Sequence, residues 1–357
     1  MGDTVDISNY VPDFEIEIGG KKLKPEELKY ITSVSVDKGI GMGDSFSFDV
    51  QDEMENGKLK WLGNELFKFG KDVTIKVGYV GKLTHSIKAC IESIAPKFSA
   101  GLMPIFTVGG SHKGFAKLTV ESELQDYSEK KDNEIVSAIA GKAGLTAEVE
   151  ATDESKADPK KYKNVGDSYW NYLKHLAKRN KEFEFFIDDG KLIFRKTKAN
   201  TPAALTFTWG ENLLSFNSTL DISKLVSEVV VQGSKDNKSI EGKAASGKEG
   251  ISSLGDKTGS KIAKEVFGDK KKYISGKKVD DKADSDNIAQ AALEATSNKL
   301  ITCSGKTPGV PELKPGICIE LKGLGDWFSG KYYVSKTTHT ISTSGYETSF
   351  SAWRNAL

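Results

Sequence analysis

Residues 70–78 read Gly-Lys-Asp-Val-Thr-Ile-Lys-Val-Gly, and residues 316–323 read Gly-Ile-Cys-Ile-Glu-Leu-Lys-Gly. In both stretches apolar and polar residues alternate between two glycines, which is the pattern of a half-buried β-strand between turns. A long strand-like run and a tight turn follow each stretch, at residues 98–101 and 341–345, with a phenylalanine five residues beyond the turn glycine. Short alternating runs can agree by chance, but the shared order favours two copies of one β-rich unit.

The first β-rich region extends from the start of the chain to about residue 120. Its apolar residues recur at every second position, and Gly, Asp and Asn interrupt the runs, which is typical of antiparallel strands joined by tight turns. The alternating positions are Phe14, Ile16, Ile18, Phe46, Phe48, Val50, Val73, Ile75 and Val77, and further apolar residues follow at Ile91, Ile94, Ile105 and Val108. We therefore predict a first β-barrel over residues 1–120.

The spacing of apolar residues becomes helical in the next part of the chain. Asp132 is placed to cap a helix that Gly144 ends, and Asp167 is placed to cap a second helix. Asp189-Gly190 separates two apolar runs, which predicts a tight hairpin with a type I′ turn. These signals predict a small α/β module over residues 121–200.

Strand-like patterns return at Leu205–Trp209 and Lys224–Gln232, and again from Ile317 to the end of the chain. They predict a second β-barrel formed by residues 201–235 and 300–357. The predicted fold class is therefore mainly β with α+β insertions, in which two tandem antiparallel β-barrels accompany the small α/β module.

Residues 236–299 interrupt the predicted second barrel. From Gly233 to about Asp284, Lys, Gly, Ser and Asp dominate and apolar residues are few, so we predict a flexible surface insertion. A helix from about Ser285 to Lys299 is predicted to return the chain to the barrel.

The overall charge does not indicate binding to nucleic acid or to a membrane. The formal net charge is +1, so no long-range field attracts an anionic partner. The arginines are Arg179, Arg195 and Arg354, whereas sites that grip phosphates or base edges favour many forked guanidinium groups. The first ten residues are polar and acidic, and no apolar run reaches the roughly 18 residues of a membrane span. We expect neither a secretory signal nor a membrane span.

Five segments together carry a resemblance to a known family. They are Tyr10-Val-Pro-Asp-Phe14, Phe69-Gly-Lys-Asp-Val73, Asp167-Ser-Tyr-Trp170, Phe185-Phe-Ile-Asp-Asp-Gly-Lys-Leu192 and Phe328-Ser-Gly-Lys-Tyr-Tyr-Val334. In their order and spacing they resemble the phage late control gene D family, the tail hub proteins similar to the hub of T-even phages and to the N-terminal part of VgrG spikes. The resemblance covers nearly the whole chain except the insertion.

The resemblance implies a structural protein and not an enzyme. It implies the baseplate hub of a contractile tail, in a phage, a tailocin or an extracellular contractile injection system. Such a hub is a homotrimer with two tube-protein-like barrels per chain, so that a pseudo-six-fold ring lines a channel and joins the six-fold tail tube to the three-fold spike. The implied partners are further copies of the chain, the tail tube protein, a spike protein and other baseplate proteins.

The end of the sequence adds one expectation to this resemblance. Fused spikes of the family continue after the second barrel into an OB-fold and a β-helix, whereas this sequence stops at Leu357. We therefore expect the spike to be a separate protein. The resemblance also implies assembly in the bacterial cytoplasm and a place in the baseplate of a virion tail or a tail-like particle.

No residue pattern indicates catalysis, a cofactor or a metal site. The histidines are His85, His112, His175 and His339, and the cysteines are Cys90, Cys303 and Cys318. The histidines lack the spacing of metal ligands on a helix or in a zinc motif. The odd number of cysteines and their strand-like surroundings are typical of buried core thiols, not of a disulfide or a metal site.

Four short motifs resemble fragments of catalytic sites. Ser304–Thr307 reads Ser-Gly-Lys-Thr, but Leu300 stands where a phosphate-binding loop has its first glycine, and Gly109–His112 lacks the spacing of a serine-hydrolase turn. The pairs Asp188-Asp189 and Asp280-Asp281 are predicted in a hairpin turn and in the polar insertion, where acidic residues face water. They leave a baseplate-associated peptidoglycan hydrolase as an alternative function.

Trp327 and Phe328 lie in a Gly-rich turn and are predicted to be exposed. Aromatic side chains are enriched at protein interfaces, so we identify this turn as a possible contact with a neighbouring subunit or with the tube. The alternative is a turn that folds over its own barrel. A glycan-binding tail-tip protein is the other alternative function.

Overall fold

The computed structural model describes residues 11–152, 162–246, 253–279 and 281–357. The strands are β1 (Pro12–Ile18), β2 (Lys21–Lys22), β3 (Ile31–Gly39), β4 (Ser45–Gln51), β5 (Met54–Glu55), β6 (Lys58–Leu59), β7 (Asp72–Tyr79), β8 (Lys82–Lys97), β9 (Ile105–Ser111), β10 (Gln125–Asp126), β11 (Thr146–Val149), β12 (Tyr162–Lys163), β13 (Phe183–Asp188), β14 (Lys191–Lys196), β15 (Leu205–Thr208), β16 (Ser215–Leu220), β17 (Glu228–Lys235), β18 (Lys238–Ala245), β19 (Lys271–Lys278), β20 (Ile301–Pro308), β21 (Cys318–Lys322), β22 (Gly330–Ser342) and β23 (Gly345–Arg354). The helices are α1 (Pro25–Leu28), α2 (Lys113–Thr119), α3 (Asp132–Ala143), α4 (Tyr169–Arg179), α5 (Gly259–Phe267), α6 (Lys282–Ser297) and α7 (Gly325–Phe328), with a 3₁₀ turn at Glu65–Phe67.

One mainly antiparallel sheet of 13 strands runs through both β-rich regions, in the order β16-β20-β23-β22-β3-β4-β9-β8-β7-β1-β2. Strand β21 branches from β22 and pairs with β15. The sheet wraps two separate apolar cores. We name barrel 1 the unit formed by β1, β3, β4 and β7–β9 around core 1, which includes Val36, Phe48 and Ile75. Barrel 2 is formed by β15, β16 and β20–β23 around core 2, which includes Phe207 and Ile319. The predicted fold class is confirmed.

The backbone hydrogen bonds of the two barrels repeat in register. In barrel 1 the amide of Gly70 donates to the carbonyl of Ile91 over 2.8 Å, and in barrel 2 the amide of Gly316 donates to the carbonyl of Val334 over 2.9 Å. Both glycines have a positive φ, 79° and 80°. A β-bulge follows directly after Ile91 in β8 and after Val334 in β22. Strands β7, β8, β9, β4 and β3 therefore correspond to β21, β22, β23, β20 and β16.

The two barrels are joined by direct strand pairing within the chain. The second half of β22, Lys336–Ser342, pairs antiparallel with Ser33–Gly39 of β3. On the polar face of this pair the hydroxyl of Thr338 donates to Asp37 over 2.6 Å. On the opposite face Ile341 enters core 1, where it is 5% exposed. We call this contact the intrachain joint.

The α/β module packs helices α2–α4 against a sheet of β11, β14 and β13. Its predicted turns are confirmed, since Gly144 ends α3 in the left-handed conformation and both residues of Asp189-Gly190 have positive φ. The predicted helix caps are each wrong by one residue. Lys131 occupies the cap position before α3, and the hydroxyl of Ser168 accepts from a backbone amide at the start of α4.

Asp132 lies in the first turn of α3 because its carboxylate has stronger partners than the backbone amides. It is buried and accepts a hydrogen bond from the Asn180 side chain over 2.7 Å. It also forms an ion pair with Arg179, with an N–O distance of 3.2 Å. Instead of Asp132, the Glu134 side chain binds a free backbone amide at the start of α3: it accepts from the Lys131 amide over 2.8 Å.

The predicted flexible insertion is wrong for the residues that the structure describes. Strands β17, β18 and β19 form a separate three-stranded sheet, and α6 packs across it. Val229 and Val231 of β17 meet Ala289 and Leu293 of α6 in a small apolar cluster. Strand β17 was predicted as part of the second barrel, but its alternate valines face this cluster. Residues 247–252 and 280 lie outside the described residues.

The predicted helix at Ser285–Lys299 exists but begins earlier, because the Asp281 carboxylate accepts from the Asp284 amide over 2.9 Å and caps α6. Among the described residues, no helix combines the length and apolar character that a membrane crossing requires.

Candidate functional site

The intrachain joint buries two stacked histidines. His85 of β8 and His339 of β22 have ring centroids 3.8 Å apart, and both are buried. The Nε2 of His339 lies 2.9 Å from the Leu313 carbonyl, which can only accept, so Nε2 carries the proton. Nδ1 then accepts from the Tyr346 hydroxyl over 2.8 Å. The ring is thereby fixed as the neutral tautomer in the interior of the joint.

Burial lowers the pKa of His339 to about 4, and burial together with the neighbouring His339 lowers the pKa of His85 well below its ordinary value. A histidine whose pKa is lowered in the folded state contributes its full stability at pH values above about 6.5, the pKa of histidine in the unfolded chain. That stability is lost as the pH falls towards the folded pKa, because the unfolded chain then binds more protons.

We expect the free energy of unfolding to fall by about 2 kcal/mol between pH 7 and pH 5 through His339. Urea unfolding at the two pH values measures this loss. His339→Gln is expected to lower stability at pH 7 and to flatten the pH dependence. His175→Gln is the matched control, because His175 is exposed on α4 and should leave the slope unchanged. An unaltered slope in His339→Gln would contradict the assignment.

The predicted acidic pair Asp188-Asp189 holds the α/β module to barrel 1. Lys38 of β3 is buried and lies 2.5 Å from Asp188 and 3.8 Å from Asp44, while Lys88 of β8 lies 3.7 Å from Asp189. Burial raises the pKa of Asp44 to about 8. A cavity of about 430 Å³ opens here, and both carboxylates of the pair line it as members of ion pairs. The geometry gives each of them a structural role.

The second predicted pair has a structural role as far as it is described. Asp281 caps α6, and Asp280 lies outside the described residues.

A buried ion pair within the α/β module is hydrogen-bonded to barrel 2. Glu184 of β13 lies 3.1 Å from the Nε of Arg195, and the Tyr333 hydroxyl of β22 donates to both carboxylate oxygens over 2.9 and 3.0 Å. Arg195 also donates to the Gly316 carbonyl over 3.3 Å. Burial raises the pKa of Glu184, and Arg195 opposes that rise. The charge of Glu184 therefore depends on Arg195.

The structure does not bring the other motifs together as catalytic groups. Ser304–Thr307 lies inside β20, where no helix follows to bind a phosphate. Ser111 donates to Glu92 over 2.9 Å, and His112 caps α2 by accepting the Gly114 amide over 3.0 Å. Serine and histidine in this pair therefore have separate structural partners.

Cys90, Cys303 and Cys318 are all free and buried. Burial raises the pKa of Cys303 to about 12, so its thiol remains protonated at neutral pH. Within the described ranges, no group of three or more histidine, cysteine, aspartate or glutamate side chains is arranged to hold a metal ion.

Trp327 and Phe328 have different surroundings, although both lie in the short helix α7. Trp327 is 65% exposed. Phe328 packs against core 2, where its ring centroid lies 6.3 Å from that of Phe216. Trp327 is thus available at the surface of barrel 2, whereas Phe328 covers its own barrel.

Comparison of the sequence with family models identifies the family. A family model described as the Alg8 N-terminal domain matches residues 8–343. The chain belongs to this family. The match spans barrel 1, the α/β module, the insertion and most of barrel 2. The family name differs from that of the late control gene D family, which the quoted segments resemble. No curated protein matches the sequence.

Solved structures share the fold of this chain at low sequence identity. The 43 kDa tail protein of prophage MuSo2 from Shewanella oneidensis is 14% identical, with a TM-score of 0.70 over 96% of this chain and 98% of that chain. A tail protein from Neisseria meningitidis is 14% identical, with a TM-score of 0.68 over 97% of both chains. The E. coli c3393 protein, a component of the type VI secretion system, is 12% identical, with a TM-score of 0.58 over 96% of this chain and 77% of that chain. The tail-protein fold implied by the resemblance is confirmed.

The sequence did not predict the intrachain joint, that is, the pairing of β22 with β3. Alternation within a strand does not reveal which strand lies beside it. One signal was present, because the repeat aligns Phe98 with Ile341, and Ile341 enters core 1 together with Tyr346 of β23.

Proposed function

We propose that this chain is a structural baseplate hub of a contractile tail or of a related injection particle, functionally equivalent to the late control gene D hubs. The observation that carries the proposal is the tandem pair of barrels in one continuous sheet. Three such chains would present six similar barrels around one axis, which matches a six-fold tube on one side and a three-fold spike on the other.

The proposed partners follow from this role. They are two further copies of the chain, the tail tube protein, a spike protein and neighbouring baseplate proteins. Trp327 is proposed as an interface residue because it is a large exposed aromatic side chain, and Phe328 is proposed to support it from below. The proposed location is the baseplate of a virion tail or a tail-like particle, after assembly in the bacterial cytoplasm.

The surroundings of the acidic side chains favour a structural role over hydrolysis. A glycosidase needs one carboxyl group as an acid and a second as a base or nucleophile, both directed at the substrate. Asp188 and Asp189 are instead held by lysines, and Asp281 caps a helix. We therefore propose no catalytic residue, no cofactor and no metal.

Light scattering on the purified chain, alone and mixed with the tube and spike proteins of the same particle, tests the function. We expect a mass of about 117 kDa, three times the 38.9 kDa chain, either alone or after addition of the spike protein. A chain that remains monomeric and binds neither protein would contradict the hub. Release of sugar fragments from peptidoglycan would instead support the hydrolase.

A further inference from the structure

Each half of the intrachain joint has a counterpart elsewhere in the chain. Strand β22 corresponds to β8, and β3 corresponds to β16. In the joint, the outer edge of β22 beyond its bulge pairs with β3. The corresponding stretch of β8, Ser93–Lys97, pairs on one side with β9, and no described strand lies on its other side. Strand β16 pairs with β20, and within the described ranges its outer edge is likewise open.

At the open edge of β16, the residues that direct their amides and carbonyls outward are the counterparts of the residues of β3 that face β22. The Asp221 amide donates to the Leu300 carbonyl over 3.0 Å, so antiparallel alternation turns residues 215, 217 and 219 towards β20. Phe216, Ser218 and Leu220 therefore direct their amides and carbonyls outward. By the repeat they correspond to Val34, Val36 and Lys38 of β3. The Ile40 amide, directly after β3, donates to the Ser335 carbonyl of β22 over 2.9 Å, so antiparallel alternation turns these three residues towards β22.

The tip of the β8–β9 hairpin exposes the apolar residue that the joint buries. The repeat aligns Phe98 with Ile341. Ile341 is 5% exposed because it lies in core 1, whereas Phe98 is 63% exposed. Leu102 and Met103 in the same turn are also exposed. A cluster of large apolar side chains at one hairpin tip indicates a contact surface.

Barrel 2 has an exposed apolar rim that matches this tip. Phe216 and Leu220 of β16 are only partly buried, whereas Val34 of β3, the counterpart of Phe216, is fully buried beneath Ile341. Trp209 and Trp327, on the connections that follow β15 and β21, are exposed as well. Core 2 thus lacks the cover that the β22–β23 tip gives to core 1.

We propose that β8 of one chain pairs with β16 of a second copy of this chain, in the antiparallel register that β22 and β3 use within the chain. The matched positions are Ile94 with Leu220, Ala95 with Thr219, Pro96 with Ser218, Lys97 with Asn217, and Phe98 with Phe216. Phe98 then enters core 2 of the neighbouring chain as Ile341 enters core 1. We call this contact the interchain joint.

The interchain joint joins unlike surfaces, so repeated contacts either close into a ring or extend as a filament. The number of chains rests on the proposed hub function, which sets it at three, whereas the contact itself rests on the repeat. Pro96 lacks an amide at an outward position, so the new ladder has one hydrogen bond fewer than the intrachain joint. The same proline discourages two β8 edges from pairing with each other.

Disulfide trapping in the variant Ala95→Cys/Thr219→Cys tests this register. The corresponding residues of the intrachain joint, Thr338 and Asp37, have side chains 2.6 Å apart, and this type of pair suits a disulfide. Under mild oxidation we expect covalently linked chains on a non-reducing gel, reversed by a thiol. The native cysteines are buried and contribute little background. In Ala95→Cys/Asn217→Cys, displaced by two residues along β16, we expect cross-linking at least about 10-fold slower.

Light scattering on the same samples separates this proposal from the hub function. A trimer that cross-links through Ala95→Cys/Thr219→Cys supports both. A trimer that does not cross-link, or that cross-links equally fast in the displaced variant, overturns the interchain joint and leaves the hub. Monomers without cross-links, both alone and after addition of the tube and spike proteins, overturn both. Linked chains that extend beyond three copies support the joint and overturn the trimeric number. Thr338→Cys/Asp37→Cys, which closes the disulfide within one chain, is the positive control for oxidation.

Discussion

Ser218→Pro is expected to convert the assembled ring into monomers while the chain remains folded. The amide of Ser218 points away from β20, so proline removes no hydrogen bond of barrel 2. At the interchain joint it removes one donor and places a ring where the Pro96 backbone of the neighbour would lie. We expect a loss of about 3 kcal/mol per joint, which raises the dissociation constant about 100-fold. Light scattering over a dilution series measures the effect.

Ser239→Pro is the matched control for this experiment. Ser239 lies on β18, an edge strand of the separate three-stranded sheet, and its amide also points away from the neighbouring strand. The control should assemble like the native chain, with the same midpoint of urea unfolding. Normal assembly of Ser218→Pro would show that β16 remains an open edge in the particle.

Arg195→Met is expected to lower the free energy of unfolding by about 3–5 kcal/mol, because it leaves the Glu184 carboxylate buried without its counter-ion. Tyr333 still donates to Glu184 but cannot neutralise it. The folded-state pKa of Glu184 should rise further in this variant. The stability that the variant loses relative to the native chain should therefore shrink as the pH falls from 7 towards 5, because Glu184 of the folded variant then takes up a proton before the unfolded chain does.

Two variants make the Arg195→Met measurement specific. Lys191→Met breaks an exposed ion pair with Glu148, where both side chains are about half exposed, and should cost at most about 1 kcal/mol. Glu184→Gln/Arg195→Met removes both charges and should recover part of the lost stability. Urea unfolding at pH 7 compares all four proteins. Equal losses in Arg195→Met and Lys191→Met would contradict a buried charge at Glu184.

The sequence predicted the repeated barrels and the α/β module because local signals govern those features. Alternation at Val73, Ile75 and Val77 and the glycine pair Gly70 and Gly316 depend only on near neighbours along the chain. The hydrogen bonds of both glycines then place the predicted repeat in register. Family resemblance led to the tail-protein fold, although the matching family carries another name.

The features that sequence reasoning missed depend on distant contacts. Strand β17 has the same alternation as a barrel strand, but its valines face α6, which lies more than fifty residues further along. Many residues of β18 and β19 are exposed and polar, so the sequence of these two strands resembles that of a polar loop. The ion pair of Lys38 with Asp188 joins residues 150 positions apart, and no local pattern predicts it.

The intrachain joint also affects the order in which a particle is built. A ring of six separate barrels would need five encounters, each dependent on concentration, whereas in the proposed trimer every second contact would close while the chain folds. Two encounters would remain, and the covalent link between the barrels would fix the sequence of barrel types around the ring. Because the β17–β19 sheet with α6 follows only one of the two barrel types, a six-fold arrangement of barrels would carry three copies of that appendage at alternate positions. In the proposed hub, duplication within one chain would thus supply a three-fold pattern on a six-fold scaffold without a second gene product.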